Sequence, residues 1–235
     1  MTTASFKDLC LDAGDALALA RFWHRVLGGT FVDRGDGSAR VDTGDGTTLW
    51  VDAVPEPRTG GTRVHLDLRL PAPERTPAAL IAAGARLLRE PDAQISWWLL
   101  ADPEGNEFCA FAPRPETPEP PGGALAHVYE LVVGARDPAA QARWWAEILG
   151  GITHTADGGG AYLENAVPWE YLVFDRLPWP KAVKNRMHWD VDLAGPAPDA
   201  LLDAGAKLLR EPDDEISWWV LADPEGNEFC AFPPD

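Results

Sequence analysis

Hydrophobic and polar residues alternate along the first fifty positions in a way that predicts strands around one helix. Residues 6–12 alternate about Leu9 and Leu11, as in a half-buried strand. Asp15 then occupies an N-cap position before apolar residues at helical spacing, and Gly28 ends that segment because glycine readily adopts left-handed backbone. Further strands are predicted at 30–33, 38–42 and 47–54. Together these segments form one β-α-β-β-β unit.

The same order of elements recurs over residues 63–111. A helix is predicted between Thr76 and Gly84, and strands are predicted at 63–70, 85–89, 95–101 and 107–111. Within the first of these strands, alternate positions point to opposite faces of the sheet. The apolar leucines therefore face the helices, and His65 lies on the opposite, polar face. The strands of each unit are thus expected to share one concave polar surface.

A long internal repeat divides the chain. Residues 87–111 and 208–232 are identical at 22 of 25 positions, and equivalent residues stay 121 to 123 positions apart. Such a period is too long for a solenoid and indicates two duplicated domains. The proline-rich stretch APRPETPEPPGG between them predicts an extended tether. The predicted organisation is domain 1 at 1–114, a linker at 115–123 and domain 2 at 124–235.

The composition of the chain argues against two classes of function, nucleic-acid binding and membrane spanning. The net charge of −17 argues against nucleic-acid binding, which needs clustered Lys and Arg. No apolar run has the roughly 20 residues of a membrane span, and the N-terminus has no signal-peptide pattern. The sequence therefore predicts a cytoplasmic protein with no nucleic-acid or membrane partner.

These motifs resemble the vicinal oxygen chelate superfamily. The resemblance rests on paired β-α-β-β-β units, a first helix ending in VLGG or ILGG, the run KNRMHWDVDL and the closing DPEGNEF. It implies an α+β fold of two tandem glyoxalase-like domains, each with a curved sheet around a cavity. Activities in this group include glyoxalase lyases, isomerases, extradiol dioxygenases and the sequestration of drugs such as bleomycin. The fused pair of modules implies a monomer with an intramolecular pseudo-dimer.

The resemblance also implies positions for a metal site. The fifth-strand histidine of the family matches His65 and His188, which are the first candidates for metal ligands or catalytic bases. The remaining ligand positions fall on the first, fourth and eighth strands of each copy. The matching residues are Asp8 and Glu130, then Asp52 and Asp175, and finally Cys109 and Cys230.

Cysteine at the eighth-strand position departs from the family, which usually has Glu there. A set of carboxylate, imidazole and thiol mixes hard and soft ligands, so the preferred metal is left open among Zn, Mn, Fe and Ni. Loss of the Glu also removes the usual proton-transferring base. The sequence therefore favours a site without a metal over a metal-assisted lyase, isomerase or dioxygenase. Asp67 and Asp190 follow the histidines by two positions and either orient them or order the sheet.

The 11 tryptophans offer a second function. Most are expected in the core, but rings beside carboxylates suit a flat or cationic ligand. The alternative is a non-enzymatic binding protein that sequesters a drug or metabolite in an acidic cavity without a metal. Its candidate ligand-binding residues are Trp50, Trp98, Trp189 and Trp219.

Overall fold

The computed structural model describes residues 2–72, 76–117 and 119–234, and this part of the chain forms sixteen strands and four α-helices. The first repeat contains β1 (Ala4–Ala13), α1 (Ala16–Leu27), β2 (Thr30–Asp33), β3 (Ala39–Asp42), β4 (Thr48–Ala53), β5 (Val64–Arg69), α2 (Ala78–Ala83), β6 (Arg86–Arg89), β7 (Trp98–Ala101) and β8 (Glu107–Phe111). The second contains β9 (His127–Ala135), α3 (Pro138–Leu149), β10 (Ile152–Thr155), β11 (Ala161–Glu164), β12 (Tyr171–Arg176), β13 (Met187–Leu193), α4 (Asp199–Asp203), β14 (Lys207–Arg210), β15 (Trp219–Ala222) and β16 (Glu228–Phe232). The predicted α+β class, with four β-α-β-β-β units, is confirmed.

The strands form two eight-stranded sheets. One has the order β14-β15-β16-β13-β1-β4-β3-β2, and the other has the order β10-β11-β12-β9-β5-β8-β7-β6. Each sheet therefore takes four strands from each sequence repeat. The neighbour of β5 on one side is β9, and the neighbour of β13 on one side is β1. This pairing decides which candidate ligands share a sheet.

The chain divides into two compact units. One comprises Met1–Leu9 with Val132–Asp235, and the other comprises Cys10–Leu131. Each unit contains one fifth-strand histidine and one eighth-strand cysteine, so each can be described by itself. Among the described residues, none of the helices has the length and apolar character needed to cross a membrane.

The first helix of each repeat is positioned by its caps. Asp15 accepts a hydrogen bond from the backbone N of Ala18 at 2.9 Å, and Asp137 does the same for Ala140 at 3.0 Å. After α1 the chain turns at Gly29 with φ +85°, where an added Cβ would lie 2.0 Å from the backbone oxygen of Asp42. Only glycine fits this close approach, so the predicted glycine terminus of the helix has a steric cause.

Aromatic residues of these helices fill the core of each unit. In Cys10–Leu131, the buried ring of Trp23 meets Phe108 of β8 edge-on, with 5.4 Å between centroids. In the other unit, Trp145 of α3 lies 4.8 Å from Trp189 of β13. Burial of such side chains supplies most of the favourable energy of these packed layers.

The repeated DPEGNEF motif builds a turn that also anchors the first helix. Asp102 accepts hydrogen bonds from the backbone N of Glu104 at 3.0 Å and of Asn106 at 2.9 Å. The Glu104 carboxylate in turn accepts from the backbone N of Gly14 at 3.0 Å and of Asp15 at 2.8 Å. Burial raises the pKa of Asp102, and these hydrogen bonds oppose the rise. The motif therefore joins the end of a sheet to the start of α1.

The second copy repeats this arrangement. Asp223 accepts from the backbone N of Glu225 and of Asn227, both at 2.9 Å. Glu225 accepts from the backbone N of Asp137 at 2.8 Å, just before α3. The segment that is most alike between the repeats thus has a structural role.

Candidate functional site

A histidine, an aspartate and a cysteine come together on β5 and β8 of the Cys10–Leu131 unit. The two strands are parallel, and Asp67 is the direct partner of Cys109 across the pair. His65 Nε2 lies 3.3 Å from Asp67 Oδ1 and 3.9 Å from Cys109 Sγ. One donor atom from each of the three residues lies within 4.8 Å of the other two. Both Asp67 and Cys109 are 6% exposed, so the cluster is largely shielded from water.

The second repeat reproduces this geometry on β13 and β16. Asp190 is the direct partner of Cys230 in a parallel pair. His188 Nε2 lies 3.6 Å from Cys230 Sγ and 3.8 Å from Asp190 Oδ1. Because strand alternation puts residues i and i+2 on one face, each His-X-Asp motif presents both side chains to the cysteine of the neighbouring strand.

Burial affects the thiol of one cluster and the carboxylate of the other. Burial raises the pKa of the Cys230 thiol, and the charge of Asp190 and its hydrogen bond with the thiol raise it further. Asp67 Oδ1 is buried and accepts no hydrogen bond within the described part of the chain, although the imidazole of His65 lies near it. A buried carboxylate in this state is costly unless positive charge lies beside it.

The arrangement is not that of a nucleophilic triad. In such a triad the thiol or hydroxyl and the carboxylate bind opposite nitrogens of the histidine ring. Here Cys109 and Asp67 both approach Nε2 of His65, and Cys230 and Asp190 both approach Nε2 of His188. Three donor atoms that converge in this way surround a common point, as ligands of a cation do.

The first-strand and fourth-strand candidates are divided between the two sheets. Glu130 is half-buried on β9, which is the neighbour of β5, and Asp8 is half-buried on β1, which is the neighbour of β13. The carboxylate beside the strand of His65 therefore comes from the second repeat, and the one beside the strand of His188 comes from the first. The resemblance instead implied one complete ligand set within each repeat. Asp52 of β4 and Asp175 of β12 are both exposed.

The tryptophans beside the cysteines are not the predicted ones. On β7, Trp98 is the partner of Ala110, so its side chain lies on the face opposite to Cys109. Trp97 has the parity of Cys109, and its ring lies 5.5 Å from that of Phe111. The register between β7 and β8, with alternation along each strand, therefore identifies Trp97 as the tryptophan on the face of Cys109.

The second repeat follows the same rule. Trp219 is the partner of Ala231, whereas the ring of Trp218 stacks on Phe232 at 5.1 Å and its side chain hydrogen-bonds to Cys230. Trp189 is fully buried against the helix, because its neighbours His188 and Asp190 occupy the other face.

Trp50 occupies a different environment. It is half-buried on β4, and its ring lies 5.1 Å from the guanidinium carbon of Arg34 and 5.6 Å from that of Arg40. These cation–π contacts stabilise the ring on the sheet surface. Of the four predicted ligand-binding tryptophans, Trp50 alone has a partly exposed ring in contact with charged groups.

Comparison with known proteins identifies the family. The model of the glyoxalase-like domain matches residues 8–111 and again residues 130–232. A mutant glyoxalase I from Zea mays has a TM-score of 0.66 at 15% identity, with 98% of this chain and 94% of that chain covered. A putative dioxygenase from Bacillus subtilis has a TM-score of 0.62 at 15% identity, with 99% and 86% covered. No curated protein matches the chain. At these identities the solved structures support the fold alone. The chain belongs to the glyoxalase-like domain family of the vicinal oxygen chelate superfamily, in two tandem copies.

Proposed function

We propose that the chain is a metal-assisted protein that binds and modifies a small oxygenated molecule, as a lyase or isomerase. The metal would be held by His65, Asp67 and Cys109 in one copy, and by the equivalent His188, Asp190 and Cys230 in the other. One observation carries this proposal: in the first copy, a nitrogen, a carboxylate oxygen and a sulfur lie within 4.8 Å of one another. In the second copy, His188 Nε2 lies 3.6 Å from Cys230 Sγ and 3.8 Å from Asp190 Oδ1.

The distances between the donors fit a tetrahedral metal. Bonds of about 2.0–2.1 Å to nitrogen and oxygen and about 2.3 Å to sulfur give tetrahedral edges of roughly 3.3 Å for N···O and roughly 3.6 Å for N···S. The observed N···O separations are 3.3 and 3.8 Å, and the N···S separations are 3.9 and 3.6 Å. The donors therefore need to shift by only a few tenths of an ångström.

The donor chemistry also selects among metals. Imidazole, carboxylate and thiolate together suit zinc, which accepts all three and is bound tetrahedrally in catalytic sites with one position for water or substrate. Asp67 of β5 and Asp190 of β13 would supply the carboxylate ligand that the family's eighth-strand Glu usually supplies. Substitution of that Glu by Cys is thus compatible with metal binding, whereas the sequence alone favoured a metal-free site.

A metal bound here would act as a Lewis acid that polarises a carbonyl or hydroxyl oxygen of the ligand. The protein residues would supply the rest of the site. Trp97 with Phe111, and Trp218 with Phe232, place apolar rings beside each cysteine and exclude water from it. Glu130 and Asp8, on the strands next to the histidines, are the carboxylates proposed to move a substrate proton.

Zinc titration of tag-free, chelator-treated protein tests the metal sites. A competing metal-binding dye should report two zinc ions per chain with Kd below about 1 μM. His65→Ala and His188→Ala should each leave one ion per chain, and the double variant should leave none. His24→Ala is the matched control, because His24 bonds the backbone oxygen of Gly29 away from both clusters and its removal should leave two. Fewer than one ion per wild-type chain would refute the proposal.

A second candidate is the metal-free binding protein, which the aromatic pairs favour. The rings of Trp218 and Phe232 are stacked at 26°, and they offer a flat apolar surface next to a buried carboxylate. Such a surface suits a planar cation. Chelator-treated protein should then show saturable tryptophan quenching by planar cations, and Trp218→Phe should weaken the quenching where Trp219→Phe does not. Equal effects of the two substitutions would remove the basis for this candidate.

A further inference from the structure

A strongly basic cleft lies at one end of the unit formed by Met1–Leu9 and Val132–Asp235. It has a volume of about 470 Å³ and is lined by segments before α3, between β12 and β13, at the start of β14 and in the turn before β16. Its charged lining residues are Arg136, Lys181, Lys184, Lys207 and Glu225. Four cations and one anion therefore share a space that fits a small molecule.

This concentration of charge is unusual for the chain. The sequence contains 37 acidic and only 20 basic residues, and its four lysines are Lys7, Lys181, Lys184 and Lys207. Three of those four lysines line the one cleft. Because charges more than about 8 Å apart are screened at physiological salt, a ligand in the cleft senses these cations rather than the net charge of the protein.

The structure holds the lysine-bearing loop against the sheet. Glu228 of β16 forms an ion pair with Lys181, and its other oxygen accepts a hydrogen bond from the backbone N of Asn185 at 3.2 Å. Asn185 also donates through its side chain to Asn227 at 3.2 Å. These contacts hold the backbone of the loop on both sides of Lys184, and the side chain of Lys184 lines the cleft.

The anionic groups already present occupy defined roles. Glu225 accepts hydrogen bonds from the backbone N of Arg136 and of Asp137, so its charge stabilises the start of α3. Glu228 is paired with Lys181.

The first repeat lacks this arrangement. The positions equivalent to Arg136 and Lys184 are Gly14 and Gly61. The basic cleft is therefore a feature of one copy, and it does not follow from the fold.

The cleft also lies beside the second cysteine cluster. Glu228, which holds the lysine loop, precedes Cys230 by two positions and shares its face of β16. The charge of Lys184 acts on the Cys230 thiol and opposes the rise in its pKa that burial causes.

We propose that this cleft binds the compact anionic end of a small ligand, a phosphate or phosphate monoester, through Arg136, Lys184 and Lys207. Lysine ammonium groups bind phosphate as mobile point charges, and an arginine adds a planar pair of donors. A small ligand fits better than a nucleic acid, because the cleft has a volume of about 470 Å³ and the chain as a whole carries a net charge of −17. This inference does not depend on the proposed metal sites.

The test uses inorganic phosphate as the probe, with chelator-treated full-length protein in 150 mM NaCl. Isothermal titration and ³¹P line broadening should show one saturable phosphate per chain despite the excess of chloride. Lys184→Gln and Lys207→Gln should each weaken binding about tenfold or more, because each removes a charge-assisted contact worth about 1.5–3 kcal/mol. Both side chains are exposed, so neither substitution should affect folding.

Matched variants separate this site from its surroundings. Arg58→Gln and Arg86→Gln change the first-repeat positions that are equivalent to Lys181 and Lys207, and they should leave phosphate binding unaltered. His188→Ala removes the proposed metal ligand and should also leave it unaltered. Absence of saturable binding, or affinity unchanged in the Lys184→Gln/Lys207→Gln double variant, would overturn the inference. An equal loss in the first-repeat variants would reduce it to nonspecific charge attraction and overturn it as well.

Discussion

The strongest test of how the repeat motif works is removal of the Glu104 carboxylate. Glu104 accepts two backbone hydrogen bonds, from Gly14 at 3.0 Å and from Asp15 at 2.8 Å, and so fastens the turn before β8 to the start of α1. Charge-assisted hydrogen bonds contribute about 1.5–3 kcal/mol each where water is excluded, and this carboxylate is partly exposed. A value of about 1 kcal/mol per bond is therefore reasonable, with roughly 0.5 kcal/mol more from the helix dipole. Glu104→Ala should lower the free energy of unfolding by about 2–3 kcal/mol.

Urea unfolding followed by circular dichroism measures this change as a shift in the transition midpoint. For a domain of this size, 1 kcal/mol corresponds to about 2–4 °C in Tm, so thermal unfolding should shift by about 4–12 °C. Glu104→Gln is an informative control, since it keeps one acceptor oxygen and loses the charge, and about half of the effect should remain. The exposed Glu116→Ala should change stability by less than about 0.5 kcal/mol. A loss below 0.5 kcal/mol in Glu104→Ala would refute the structural role assigned to the motif.

Three further predictions follow from single contacts. Gly29→Ala should lower the free energy of unfolding by about 4 kcal/mol or prevent folding, because it adds a clash with the backbone of Asp42 to a left-handed conformation. Gly46 also has a positive φ, of +87°, but has open space around it, so Gly46→Ala should lower the free energy of unfolding by only about 1–2 kcal/mol. Urea unfolding measures both changes. Tyr129→Phe should lower the free energy of unfolding by about 1–2 kcal/mol, because it removes the 2.7 Å bond from Arg114, and Tyr162→Phe, whose ring stacks on His154, serves as the comparison. In metal-free protein at pH 8, Cys230 should react with iodoacetamide at least about tenfold more slowly than after unfolding, because burial raises the pKa of the thiol and keeps it protonated. Peptide mass spectrometry measures the two alkylation rates, and equal rates would contradict the prediction.

Much of the local structure could be predicted because it depends on neighbours in sequence. Helix α1 begins after the capping Asp15 and ends before the paired glycines, as its pattern indicates. The alternation in β5 places His65 and Asp67 on one face, which is how the two reach the same site. The family was also predictable, because the repeated motifs specify the turn that links β7 to β8. The domain bounds at 1–114, 115–123 and 124–235 stay a prediction, as do the cytoplasmic location and the monomeric state.

The sequence alone did not determine which tryptophan of each adjacent pair lies on the same face of the sheet as the cysteine. Adjacent residues of a strand point to opposite faces, so one of Trp97 and Trp98 had to lie beside Cys109. The choice requires the register between β7 and β8, which pairs Trp98 with Ala110. Register is a property of two strands together, and a single strand does not reveal it.

By itself, the sequence determined the two copies, their β-α-β-β-β units and the polar face that carries each histidine, because capping, alternation and turn chemistry act over a few residues. The tertiary structure decided which strands lie side by side. Since β1 and β9 are equivalent strands of two similar repeats, local pattern does not distinguish them as neighbours of β5, and the structure pairs β5 with β9 and β13 with β1. It also brought Lys207 of β14 together with Lys181 and Lys184 of the loop before β13 in one cleft. Both results depend on contacts between residues far apart in the chain, and such contacts leave no periodic signal in the sequence.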